Sequence, residues 1–173
     1  MKRKLVLSLL SIIVVASLLS VANATPVAVA SNGPSAFGVG TFVQEHEDGL
    51  HKHYFAFRVS DGYLRRDGWY YKPDGRFSLI CKHPDNEICM IVKSDVILRF
   101  KVMRIEGGLK VVFEGFATVK MAEGGWEKGW RLRVEAFDFG WKGDAIVVHL
   151  VSLTGEEHHM EGTLTSGNIV VKK

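Results

Sequence analysis

The sequence predicts an all-β fold: one antiparallel β-barrel or barrel-like sandwich of about nine or ten strands, after an N-terminal signal-peptide helix. Three observations predict it. Glycine-centred turn signals recur along the chain, the runs between them alternate apolar and polar residues, and all four prolines (Pro26, Pro34, Pro73, Pro84) sit in the leader or at turns. None occurs from Asp85 onward, where a proline inside a strand would remove a ladder donor.

Taken in order, the chain opens with a basic n-region, Met1-Lys2-Arg3-Lys4. An apolar run follows from Leu5 to Val21 and ends at the small-x-small site Ala22-Asn23-Ala24. That is the layout of a secretory signal over 1–24, and it predicts a secreted protein. Ala28-Val29-Ala30 is a second such site, so the mature chain starts at Thr25 or Ser31. An uncleaved membrane anchor is the alternative, because the apolar run nears the shortest membrane spans. Residues 25–35 form a Pro-, Gly- and Ser-bearing flexible leader, and 36–173 form one β domain. Charge interrupts every later apolar run, so no membrane span is expected in the mature chain.

Processing also removes the basic character. Of 22 Lys+Arg against 19 Asp+Glu, Lys2, Arg3 and Lys4 leave with the signal, and the remainder balances. A nucleic-acid binder needs an excess of positive charge to displace counterions, so that class is excluded. The protein, envelope or small-molecule partner is not named by the sequence, and neither is the oligomeric state.

Within the domain, Glu47-Asp48-Gly49, Asp61-Gly62, Asp67-Gly68, Pro73-Asp74-Gly75, Gly107-Gly108, Gly124-Gly125, Gly140 to Asp144, Thr154-Gly155 and Ser166-Gly167-Asn168 mark turns. His51 and His53 continue the face of Phe55, Phe57 and Val59. Val96, Leu98, Phe100 and Val102 alternate with Ile97, Arg99, Lys101 and Met103. Leu109, Val111, Phe113, Gly115, Ala117 and Val119 share one face, with Gly115 marking a bend that barrel closure requires. Trp130, Leu132, Val134 and Ala136 oppose Arg131, Arg133 and Glu135. One face is core and the other meets solvent, as in antiparallel sheets. Ala145 to Val151 is apolar on both faces except at His149, which places it centrally.

Cys81 and Cys89, the only cysteines, lie symmetrically about Asp85 in a Pro-Asp-Asn turn. A hairpin there brings them into disulfide range, and export permits the bond. No metal site is expected. His46, His51 and His53, and separately His158-His159, are the only ligand candidates, and the simpler reading is that wet hairpin ends on a barrel rim tolerate histidine. Asp138 to Asp144 has too few acids for a calcium loop and reads as a turn whose Asx side chains bond the local backbone. No catalytic motif is present, no cofactor is implied, and no ligand-binding residue is identified. Trp69-Tyr70-Tyr71 with Trp126, Trp130 and Trp141 offer a sugar-stacking platform, but the same residues suit half-buried places in any barrel.

Three segments, Val111 to Val119, Asp138 to Ile146 and Gly162 to Val171, together with Phe37 to Phe42 and Phe55-Ala56-Phe57, resemble the post-COAP domain. The resemblance implies a small exported β module of prokaryotes with no catalytic residues and no established activity. The Cys81–Cys89 segment and the histidine hairpin depart from that pattern. The function expected is a non-catalytic binding or cell-envelope module. The alternative is a barrel holding an apolar or carbohydrate ligand, with a hydrolase or isomerase behind it.

Overall fold

A computed structural model describes residues 33–62, 73–140 and 143–173. The signal segment 1–24, most of the leader, Trp69-Tyr70-Tyr71 and Trp141 lie outside the described residues. The strands are β1 (Ser35–His46), β2 (Gly49–Ser60), β3 (Asp74–Lys82), β4 (Ile88–Ile105), β5 (Gly108–Met121), β6 (Trp126–Asp138), β7 (Ala145–Val151) and β8 (Glu157–Lys172). They close into one antiparallel barrel in sequence order, β8 returning to pair with β1. Among the described residues the strands number eight, against the nine or ten expected. Long strands account for the difference. The turn signal Ser166-Gly167-Asn168 lies inside β8, where Gly167 has φ 99° and pairs with Gly40, and the β1 register shifts just beside it, across Thr165.

The alternation read from sequence places the core in β2, β5 and β6, but in β4 two register shifts break it, so that Ile97 is buried and Leu98 is exposed. Phe42, Phe55, Phe57, Phe77, Phe113 and Trp130 all point inward and are buried, packed with Val and Leu from β2 to β8. An eight-stranded barrel has an interior just wide enough for side chains, and these fill it. Gly115 faces the bulged stretch of β4, where a Cβ would lie 1.9 Å from the Val96 carbonyl oxygen. Where the sequence predicts a bend at Gly115, what the glycine provides is this close approach of two backbones beside the β4 bulge.

The barrel is not uniform around its wall. β4 pairs with β3 only through Ile88–Lys93, and beyond Ser94 it pairs with β5 alone among the described residues. An open hollow of about 560 Å³ lies on this outer flank, lined in part by Leu98, Lys101, Met103, Glu114 and Arg133. Arg133 bridges Glu114 and Glu135 on the same wall, and Lys110 pairs with Glu135.

Closure depends on β8. Its first half, Glu157–Thr163, pairs with β7, and its second half, Leu164–Lys172, pairs with β1. Once β7 has ended, alternate β8 amides have no strand to meet. The β6–β7 connection meets them instead. The Asp144 carbonyl accepts from Leu164 N–H at 2.8 Å, its carboxylate accepts from Ile169 N–H at 2.6 Å and Phe139 N–H at 3.1 Å, and Asp138 accepts from Val171 N–H at 3.0 Å. The Asx reading of this turn is correct, and its side chains also reach across to a distant strand.

Asp144 is buried, so removing its carboxylate leaves the Ile169 amide unpaired in the seam. Asp144→Ala should cost about 2 kcal/mol and lower Tm by about 5 °C, with Asp144→Asn losing less because one acceptor oxygen remains. A thermal melt checks this, and an unchanged Tm for the alanine variant contradicts it.

Candidate functional site

In an up-and-down barrel every second turn falls at the same end. The β1–β2, β3–β4, β5–β6 and β7–β8 turns share one end, and all seven histidines of the chain lie in or near these turns. His46 ends β1, His51 and His53 begin β2, His83 follows β3, His149 is near the end of β7, and His158 and His159 begin β8. The Cys81–Cys89 disulfide is at this end too, with a Cα–Cα separation of 5.5 Å. The cysteines are not directly opposed: Cys81 faces Met90, and the β3–β4 register shifts immediately after it.

The β1–β2 hairpin turns on Glu47 and Asp48, with His46 opposite Gly49. The period of two then aims His51 and His53 inward. Their surroundings differ from the wet rim expected of them, since His51 is 8% exposed and His53 only 1%. His53 is stacked on Phe42 with ring centroids 4.5 Å apart and planes 6° apart. Glycine makes that seat: a Cβ at Gly162 would lie 2.8 Å from the Phe42 ring. Neither ring nitrogen of His53 has a hydrogen-bond partner.

Higher on the rim, Asp48 collects two imidazoles. His51 Nε2 lies 2.9 Å from its carboxylate and His83 Nδ1 lies 3.1 Å from the same oxygen. The His51 hydrogen bond holds the Asp48 carboxyl below its ordinary range. His46 packs beside them, its ring centroid 4.3 Å from that of His51, and His83 meets His51 edge-on at 4.6 Å. On its other side His51 directs Nδ1 at the Cys81 sulfur, 3.6 Å away. The ligand atoms of Asp48, His51 and His83 all fall within 4.8 Å of one another.

The second histidine group does not converge. His158 packs near Trp130 and binds Glu156, whereas His159 faces outward onto Glu161 and His149 lies on the outer wall. The aromatic platform does not form from its described members either. Trp130 is a core residue, and Trp126 is a half-exposed surface ring beneath Lys93. Sequence reading identified His46, His51 and His53 but missed Asp48 and His83 as their partners. The parity of turns in a meander carries that signal, since it brings the first and third turns together.

Burial, followed by the electrostatic influence of His46 and His51, pushes the His53 pKa from 6.5 down to about 4. The unfolded chain takes up a proton here below about pH 6.5, and the folded chain only near pH 4. The associated stability is therefore complete above pH 6.5 and is lost as pH falls towards 4, by about 3 kcal/mol. In chelator-treated protein, His53→Leu should flatten the fall in the urea midpoint between pH 7 and 4.5. An equally steep fall in the variant contradicts the assignment.

No family model, curated protein or solved structure matches the chain.

Proposed function

We propose that the protein is an exported, non-catalytic barrel that acts as a binding or cell-envelope module through its outer surface and rim. One observation carries this reading. The interior that a ligand-binding barrel would leave open is occupied by aromatic and aliphatic side chains drawn from all eight strands. Ligand chambers are concave and mostly apolar, whereas the hollow beside β4 is on the outer wall and open.

Several features support export. The n-region, apolar run and Ala22-Asn23-Ala24 form a signal layout, and the cysteines are paired as an oxidising compartment allows. No helix among the described residues is long and apolar enough to cross a membrane. The balanced charge left after processing argues against a nucleic-acid partner. A post-COAP-like identity, drawn from Val111 to Val119 and Gly162 to Val171, belongs to the same proposal.

Native mass spectrometry of protein recovered from its source cells and their medium tests this reading. The expected species begins at Thr25 or Ser31, carries the disulfide and holds no organic small molecule. A stoichiometric apolar or sugar ligand would overturn the solid-barrel module. Recovery from membranes with residues 1–24 attached would overturn its secretion.

A further inference from the structure

We propose that Asp48, His51 and His83, with His46 beside them, form a binding site for a divalent first-row metal of the Zn²⁺ or Cu²⁺ class on the barrel rim. The proposal is independent of the module reading, because it needs only the folded rim.

The donor set is the first argument. Imidazole nitrogens with one carboxylate suit borderline cations such as Zn²⁺ and Cu²⁺, whereas Ca²⁺ and Mg²⁺ call for oxygen donors. Donors around a tetrahedral zinc stand about 3.3 Å apart, given bond lengths near 2.0 Å. The atoms of Asp48, His51 and His83 already lie within 4.8 Å of one another, two of the pairs at about 3 Å. Small rotations of the exposed Asp48 and the half-buried His83 side chains would close the remainder.

Hydrogen bonding gives the second argument. His51 Nδ1 lies 3.6 Å from the Cys81 sulfur and Nε2 lies 2.9 Å from the Asp48 carboxylate. The ring is thus held between the disulfide and the rim, with Nε2 directed at the other donors. A divalent cation would take the place of the proton shared between Nε2 and the carboxylate, and the sulfur would orient the ligand as outer-shell partners of metal-bound histidines do.

His53 supplies a third, separate observation. It is a buried imidazole with both nitrogens unpartnered, on the same strand face two residues below His51. An unsatisfied buried polar group costs stability, and an apolar residue there would not. The His46 ring lies 4.3 Å from that of His51 and 6.5 Å from that of His53, so three imidazoles stand together at this end of the barrel.

The untagged full-length chain, stripped of metal and dialysed, is titrated with Cu²⁺, Zn²⁺ and Ca²⁺ by calorimetry, with electron paramagnetic resonance on the Cu²⁺ form. One Cu²⁺ or Zn²⁺ per chain is expected, held at least about a hundredfold more tightly than Ca²⁺, with imidazole nitrogen splitting in the Cu²⁺ spectrum. Asp48→Asn and His83→Ala, both on solvent-facing turns and expected to keep the parent Tm, should each weaken binding at least about tenfold. His159→Ala, in the group that does not converge, should change it less than about twofold. Affinity for Cu²⁺ and Zn²⁺ no greater than for Ca²⁺ would overturn the site. So would binding that survives Asp48→Asn and His83→Ala, or that is lost in His159→Ala.

Discussion

The barrel depends on one strand serving two partners. A sheet of this size left open would expose two rows of unpaired backbone groups, and closure removes both edges. β8 achieves this by leaving β7 after Thr163 and continuing along β1 to Lys172. The departure frees amides on the β7 side, which the Asp138 and Asp144 carboxylates satisfy. Each charged acceptor makes a stronger bond than the neutral carbonyl it replaces. A short seventh strand and a long eighth are thus joined by two aspartates of one turn.

Closure has two further consequences. It turns one face of every strand into a common interior, which Phe, Val, Leu and Trp130 fill. It also sorts the turns into two ends, and the histidines fall at one of them. The disulfide ties the β3–β4 hairpin down beside the β1–β2 hairpin, with Cys81 opposite His53 and in contact with His51. That contact fixes which nitrogen of His51 faces Asp48. Fold, covalent link and rim chemistry meet at this one imidazole.

Much of this was legible in the residues. Strict alternation through Val111, Phe113, Ala117 and Val119 and through Trp130, Leu132, Val134 and Ala136 identified the core face, and the structure buries each of these side chains. Strand number was less legible, because a glycine at positive φ marks a bulge as readily as a turn. Gly129 lies within β6 at a register shift, and Gly167 lies within β8 two residues from one. The paired cysteines followed from their spacing, while the bulge that offsets them did not. Depth was the quantity hardest to read. Alternation puts His53 on the inner face, but only the packing of Phe42 over it, allowed by Gly162, makes it dry. His83 and Asp48 carry no shared motif, and their meeting is a product of topology.

The seam at β8 is the central claim, and amide hydrogen exchange followed by NMR tests it most directly. The Ile169 and Val171 amides lie on the side of β8 that β7 has left, so an open edge there would exchange them at the rate of solvent-facing backbone. The carboxylate-sealed barrel predicts that both exchange only through global unfolding, as slowly as Val134 and Val148 in the centre of the sheet. Fast exchange at Ile169 and Val171 beside slow exchange at Val134 and Val148 would contradict it.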